Sequence, residues 1–126
     1  MVFRSLEPRE LEAWFAHCQS VFRLEDTEYF RRHFLFDPHA DASLIFVAMD
    51  GEVIASSLRV FRRHIWLKGR VVAMGGIGEV GTKLEYRKRG LAAELLQLAI
   101  AAMETQGMPV SILFGDQPIY ERAGWR

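Results

Sequence analysis

The sequence has very little cysteine, no long hydrophobic run and no excess of charge. Cys18 is the single cysteine among 126 residues, which excludes an intrachain disulfide and a zinc site built from several cysteines. No apolar run approaches the ~18 residues of a membrane span, and the N-terminus has no signal-like apolar segment. We therefore expect a cytoplasmic protein without a membrane partner, and we name no metal ligands.

The absence of net charge bears on the class of partner. Sixteen basic residues balance 16 acidic ones, whereas a nucleic-acid binder more often carries a net basic face. Basic residues do cluster at 62–63 and at 87–89, so a nucleic-acid binder that uses these five arginines and lysines stays open as an alternative. The length favours a single domain, residues 1–126, which can bury roughly two thirds of its unfolded surface.

The most informative stretch, Gly75 to Gln106, predicts a strand, a basic loop and a long helix. A β-rich run leads into three consecutive cations, and about four turns of periodic sequence follow. Within these turns, apolar residues stand one, three or four positions apart, as they do on one face of a helix. They are Leu91, Leu95, Leu98, Ala99, Ala102 and Met103. Gly107 and Pro109 then end the predicted helix.

The start of this helix predicts an anion site. The first N–H groups of a helix have no intrahelical partner, and the macrodipole places partial positive charge there. Gly90 allows a ligand to approach the backbone closely, and Arg87, Lys88 and Arg89 add positive charge. Such a site suits a phosphate or a pyrophosphate group.

At this loop the chain resembles a known family. Arg87-x-x-Gly90-x-Ala92, after a predicted strand and before a predicted helix, resembles the acyl-coenzyme-A loop of the GNAT superfamily of N-acetyltransferases. Within the superfamily, residues 73–80 together with 86–91 look most like the enhanced-intracellular-survival branch. The resemblance covers roughly residues 44–126.

A second block of sequence carries the same resemblance. Residues 112–116 indicate a strand, and residues 118–125 resemble the short helix that follows it in the family. Tyr120 stands four residues before Gly124 and the aromatic Trp125, as a tyrosine does in that family motif. The order of the blocks, strand, loop, helix, strand and helix, is also similar to that of the family.

The resemblance implies a transferase that takes acetyl-CoA as the acyl donor and a small-molecule or peptide amine as the acceptor. It implies that one strand splays from its neighbour, and that the pantetheine arm pairs with this strand along Val80, Gly81 and Thr82. Further cofactor contacts are implied at the basic loop and after the later strand. These implied residues are Arg87, Lys88, Arg89, Gly90, Leu91, Ala92, Gly115 and Asp116.

A second glycine pattern offers a competing interpretation. Residues 76–81 spell G-x-G-x-x-G, the pattern of a dinucleotide-binding or kinase phosphate loop. A dinucleotide-binding loop opens directly into a helix, and here residues 82–86 intervene. A kinase needs a downstream lysine strand and catalytic loop that so short a chain lacks. We therefore place these glycines in a strand that a ligand approaches closely.

The predicted chemistry needs a proton donor and a base. Direct acyl transfer requires a neutral amine, a polarised thioester and a donor to the departing thiolate. A tyrosine with a pKa of about 10 can return a proton to a thiolate with a pKa of ~8.5. The resemblance assigns this role of general acid to Tyr120, and the alternative is that its ring only packs in the core. Glu79 is a candidate base, but the similar branch uses the C-terminal carboxylate of a longer chain, so the base stays open.

The pattern of elements predicts an α/β fold, with a mostly antiparallel sheet of about five strands and helices on both faces. Two helices are expected before residue 37, the second over Glu25–Phe36. Three strands follow, the first two joined at Asp50-Gly51, a strong hairpin signal. Cys18 lies in the apolar stripe of the first helix, where we expect a buried, inert thiol.

The resemblance also implies two further strands after Arg126. The chain would then be a portion of a longer protein, or a homo-oligomer or a missing chain segment would complete the sheet, because an uncovered edge invites association. A non-catalytic acyl-CoA-binding or interaction module therefore stays open beside the enzyme.

Overall fold

The computed structural model describes residues 1–115 and 118–126, and within these ranges it has five strands and four α-helices. The strands are β1 (Val2–Ser5), β2 (Ile45–Asp50), β3 (Val53–Leu67), β4 (Arg70–Thr82) and β5 (Val110–Leu113). The α-helices are α1 (Leu11–Val21), α2 (Glu28–Leu35), α3 (Leu91–Thr105) and α4 (Pro118–Ala123). Short 3-10 turns occupy Pro8–Glu10, Ala42–Leu44 and Leu84–Tyr86.

The strands form one mixed sheet in the order β1-β2-β3-β4-β5. The first four strands pair antiparallel with their neighbours, and β5 pairs parallel to β4. The parallel pair is possible because α3 crosses between the two strands. The predicted class, a mostly antiparallel sheet in an α/β fold, is confirmed.

Helices cover both faces of the sheet, and each face has its own apolar core. On one face Trp14, Phe15 and Cys18 of α1 pack with Phe30 and Phe34 of α2. On the other face, α3 packs on the sheet and α4 packs beside it. The buried α3 residues of that core are Leu91, Leu95, Leu96, Ala99 and Met103. β4 runs between these two helical layers, and the residues of the candidate site lie on it or beside it.

The glycines of β4 are explained by packing. A Cβ atom on Gly78 would lie 2.7 Å from Cε2 of Phe61, and one on Gly81 would lie 2.7 Å from Cγ1 of Val21 in α1. Real Cβ atoms essentially never approach so closely. The absence of a side chain at these two positions therefore lets β4 pack against Phe61 of β3 and against α1. Packing alone explains both glycines, without a bound ligand.

Candidate active site

The pairing of β4 with β5, the last strand in the sheet order, ends well before β4 does, and the resemblance implies that these two strands separate here. β4 and β5 pair only from Met74 with Val110 to Ile77 with Leu113. β4 then continues to Thr82 beside β3 alone, so its far edge has no strand partner among the described residues. Unpaired backbone groups on a strand edge can pair with an extended ligand.

A β-bulge distorts β4 at the point where the strands part. Arg59 pairs with Gly78 and Ser57 pairs with Gly81, so Glu79 and Val80 together oppose one residue of β3. Glu79 has a φ of 56°, in the left-handed region that bulges can require. Val80 packs against the α3 core, whereas Glu79 interacts electrostatically with Arg59 and His33. The bulge thus presents a carboxyl group to the face covered by α2.

One oxygen of the Glu79 carboxyl group, Oε2, is buried without a hydrogen-bond partner among residues 1–115 and 118–126. Burial raises the pKa of Glu79 to about 6, although the positive charge of Arg59 and the His33 ring opposes this shift. A carboxyl group with a pKa near 6 is mostly ionised at pH 7, and it is a stronger base than an ordinary glutamate. Glu79 can therefore accept a proton from a group placed beside it.

A buried arginine lies next to this carboxyl. Arg59 is 1% exposed, and its guanidinium lies 5.1 Å from the ring centre of Phe34 and 4.2 Å from that of Phe61. Its Nη2 atom donates to Oδ2 of Asp37 at 2.8 Å, and Arg63 donates to the same oxygen at 3.0 Å. One carboxylate and two aromatic rings therefore hold the Arg59 cation in place.

The basic loop forms a cradle at the start of α3. Lys88 and Gly90 have φ angles of 63° and 74°, and the first helical bond runs from the Glu94 N–H to the Gly90 carbonyl at 3.2 Å. The preceding N–H groups of the helix have no intrahelical acceptor. A cavity of about 200 Å³ lies in front of them. It is lined by Thr82, Tyr86, Arg87, Lys88, Arg89, Gly90, Leu91, Ala92 and Ile119.

Backbone carbonyls hold two of the loop arginines. Arg87 Nε donates to the Thr82 carbonyl at 3.3 Å, and Arg89 Nη2 donates to the Glu85 carbonyl at 3.2 Å. The Arg89 guanidinium also lies 5.2 Å from the ring centre of Tyr86. A guanidinium has five N–H donors, so each keeps further donors for an anion.

Tyr120 lies beside the end of β5. It is half-buried in α4, and burial raises the pKa of its hydroxyl above the usual value. Its ring packs on Gly115, where a Cβ atom would lie 2.7 Å from Cε2. Tyr120 lines a cavity of about 270 Å³ with β5 residues, whereas its neighbour Ile119 faces the anion cradle. Asp116 lies outside the described residues.

The two basic clusters do not form one surface. Arg62 donates to Gln106 beside α3, whereas Arg63 reaches Asp37 on the opposite face. These arginines pair with Gly75 and Met74, roughly 25 Å along β4 from the basic loop. Among the described residues, these two clusters thus form no continuous basic face for a nucleic acid.

The sequence interpretation missed the buried polar residues behind β4. His17 lies 3% exposed in α1, with Nε2 3.2 Å from the Gly81 carbonyl, and it was not singled out. Its place in the apolar stripe of α1, three residues after Trp14, was the available signal. Arg59 and Asp37 carried no comparable signal, because their contact joins distant parts of the chain.

Comparison with known proteins agrees with this architecture. The acetyltransferase (GNAT) domain family matches residues 2–126. The chain belongs to this family. No protein with curated function matches the sequence significantly. Family membership supports acyl transfer in general, and the acetyltransferases of the family use acetyl-CoA as donor.

Solved structures share the fold at low identity. A GCN5-related N-acetyltransferase from Anabaena variabilis has a TM-score of 0.80 and 23% identity, over 98% of this chain and 31% of its own. Glucosamine-6-phosphate N-acetyltransferase from Arabidopsis thaliana has a TM-score of 0.74 and 20% identity, over 99% and 90%. A predicted acetyltransferase from Clostridium acetobutylicum, solved with acetyl-CoA, has a TM-score of 0.76 and 13% identity, over 99% and 89%. The chain thus spans about a third of the Anabaena protein and most of the other two.

Neither a membrane-spanning helix nor a metal-binding cluster is found among the described residues. None of the helices there is long and apolar enough to cross a bilayer. Nor do those residues bring three His, Cys, Asp or Glu side chains together in a way that could hold a metal ion.

Proposed function

We propose that this domain binds acetyl-CoA and transfers the acetyl group to a primary amine by direct attack. The observation that carries the proposal is the arrangement of two features on one strand. β4 separates from β5 at a bulge that buries Glu79, and a few residues later it leads into the anion cradle at α3. Acetyl-CoA bound along this edge would place its phosphates at the basic cradle and its reacting carbonyl near the carboxyl group of Glu79.

The residues of the cradle suit the pyrophosphate of the cofactor. The N–H groups at Leu91 and Ala92 and the guanidiniums of Arg87 and Arg89 supply donors and positive charge. Gly90 leaves the approach open, since a Cβ atom there would meet no described atom within 4 Å. We assign Lys88 to the same group of phosphate contacts.

The open edge of β4 suits the pantetheine arm. Val80, Gly81 and Thr82 continue past the last pair with β5, and Thr82 also lines the cradle. An amide-containing chain can pair with such an edge as an added strand does. We assign Gly115 and Asp116, which follow β5, to the opposite side of the same arm.

Two side chains carry the proton transfers in this proposal. Glu79 accepts a proton from the amine as the nitrogen bonds to the thioester carbonyl carbon. The carbon–sulfur bond then breaks, and Tyr120 returns a proton to the sulfur. The raised pKa of Glu79, about 6, supports its role as a base, and the half-buried hydroxyl of Tyr120 supports its role as a donor.

We further assign the domain to the enhanced-intracellular-survival branch, on the residues at 73–80 and 86–91. We likewise propose that residues 1–126 form one acyl-CoA-binding domain.

A thiol-release assay tests the proposal. Acetyl-CoA is offered with a panel of amines that includes spermidine, an aminoglycoside and glucosamine 6-phosphate, and coenzyme A binding is measured by calorimetry. We expect amine-dependent release that falls by ~10²–10⁴-fold in Glu79→Gln, and no loss in Glu104→Gln on the exposed side of α3. Binding without release from any amine would favour a non-catalytic acyl-CoA module, and absence of binding would overturn the proposal.

A further inference from the structure

A third cavity lies on the α2 face, outside the proposed acyl-CoA site. Its volume is about 460 Å³, and it opens between the last turn of α2, the loop that follows and the middle of β3. Phe36, which is 80% exposed, forms an apolar side of it. The polar residues that line it are Arg32, His33, Asp37, His39 and Arg63.

The cavity presents a net positive charge to a ligand. Asp37 is the single acidic residue among its described lining residues. The side chain of Asp37 is 5% exposed; Oδ2 accepts from Arg59 and Arg63, and Oδ1 accepts the N–H of His39 at 2.9 Å. Both carboxylate oxygens are therefore covered. Arg32, by contrast, is exposed and makes no ion pair within the described residues.

The cavity adjoins the bulge of β4. Side chains of a strand alternate, so Arg59, Phe61 and Arg63 share the α2 face of β3. Arg59 pairs with Gly78, the residue before Glu79, and contacts Asp37 at the wall of the cavity. His33 lines the cavity and also interacts electrostatically with Glu79. Arg59 and His33 thus connect the wall of the cavity with the surroundings of Glu79, which does not itself line it.

We propose that this cavity selects an acceptor amine that carries its own anionic group, a phosphate or a carboxylate. The inference rests on the proposed function. Arg32 and Arg63 hold the anionic group, and the amine lies towards Glu79, which takes its proton. Polycationic amines are disfavoured, because their remaining ammonium groups would face arginines. Phe36 contacts the short carbon chain between the two ends.

Calorimetry with coenzyme A at saturation isolates this cavity, because the loop at α3 is then occupied. The probes are 2-aminoethyl phosphate, 4-aminobutyrate and ethanolamine. We expect both anionic amines to bind at least tenfold tighter than ethanolamine, and the comparison of the two shows which anion is preferred. Arg32→Gln should weaken the anionic amines by about ten- to a hundredfold, the loss of one charge-assisted contact.

A matched variant removes the same charge elsewhere. Arg70→Gln, at the exposed start of β4, should leave all three affinities unchanged. Equal affinity of ethanolamine and the anionic amines, or equal losses in Arg32→Gln and Arg70→Gln, would overturn the inference.

The proposed function can fail separately. Thiol release is measured with the same amines, and its absence together with selective, Arg32-dependent binding would contradict the enzyme and leave the anionic-ligand site standing. If coenzyme A itself does not bind, the loop at α3 stays open to the anionic amines, so the titrations are repeated in an Arg87→Ala background that weakens this loop. If Arg32→Gln no longer lowers the affinity of the anionic amines in that background, the cavity is not their binding site.

Discussion

The Nζ atom of Lys83 lies 2.8 Å from Nδ1 of His17 in the interior between α1 and β4. Lys83 Nζ also donates to the Ile54 carbonyl at 2.8 Å, and His17 Nε2 lies 3.2 Å from the Gly81 carbonyl. Since Lys83 is a donor only, Nδ1 of His17 accepts and Nε2 donates to Gly81. A neutral histidine therefore ties α1 to the strand that we assign to the cofactor.

Acid should weaken the fold through His17. Burial, aided by the Lys83 charge, lowers its pKa to about 4, against ~6.5 in the unfolded chain. The unfolded state thus binds the proton first, so stability is lost as pH falls from ~6.5 to about 4, by at most ~3 kcal/mol. Urea unfolding at several pH values should show a steeper loss in the wild type than in His17→Gln. The opposite contribution of Glu79 cancels in this comparison, and parallel curves would contradict the assignment.

Asp37→Asn should destabilise the domain by ~3–5 kcal/mol. The substitution removes the carboxylate that pairs with the Arg59 cation, which is 1% exposed and keeps only the more distant charge of Glu79, and breaking a buried ion pair is costly. Denaturant unfolding measures the loss, with Glu104→Gln as a control that removes an exposed carboxylate. A change below ~1 kcal/mol would show that the aromatic rings and Glu79 suffice to hold Arg59.

The acetyl transfer should depend on the ionisation of Glu79. The raised pKa, about 6, means that the base is lost as pH falls through that value, so kcat/KM should rise with pH across it. The midpoint of this rising limb of the pH profile should stay at the same pH for acceptors whose amine pKa values differ. Glu79→Gln should abolish the limb together with most of the rate. A limb that follows the acceptor's pKa would assign the titration to the amine instead.

Tyr120 is tested by comparing phenylalanine with alanine. If it is the general acid, Tyr120→Phe should lower turnover by ~10²–10⁴-fold while the melting temperature changes little. If the ring only packs, Tyr120→Phe should keep turnover, and Tyr120→Ala should cost ~3–5 kcal/mol of stability. Turnover and melting temperature are therefore read together in both variants.

Local sequence signals predicted much of the fold. The α3 periodicity and the Gly107 stop matched a helix that ends at Thr105, and Asp50-Gly51 lies at the β2–β3 turn. The second helix begins at Glu28, three residues after the predicted start at Glu25. Asp26 Oδ1 accepts the Glu28 N–H at 2.9 Å, so residues 26–28 form a local side-chain turn before the helix and not its first turn. The parallel pairing of β5 depends on how α3 packs, which a four-residue strand does not specify.

Only the part of the candidate site whose residues are continuous in sequence could be predicted. The basic loop is continuous in sequence, so its residues fall around one cradle. The burial of Glu79 arises from a bulge, and a bulge depends on the register between β3 and β4. The contact of Arg59 with Asp37 joins residues 22 positions apart, which no local pattern shows.

The central claim, that the loop at α3 holds the acyl-CoA phosphates, is tested most directly by calorimetric titration of coenzyme A into Gly90→Val and Gly51→Val. Both glycines have positive φ, 74° and 60°, and a Cβ atom at either would meet no described atom within 4 Å. The backbone strain is therefore matched, and only the position differs. We expect Gly90→Val to weaken coenzyme A at least tenfold, as Arg87→Ala should, and Gly51→Val to leave its affinity unchanged. Wild-type affinity in both Gly90→Val and Arg87→Ala would contradict the account.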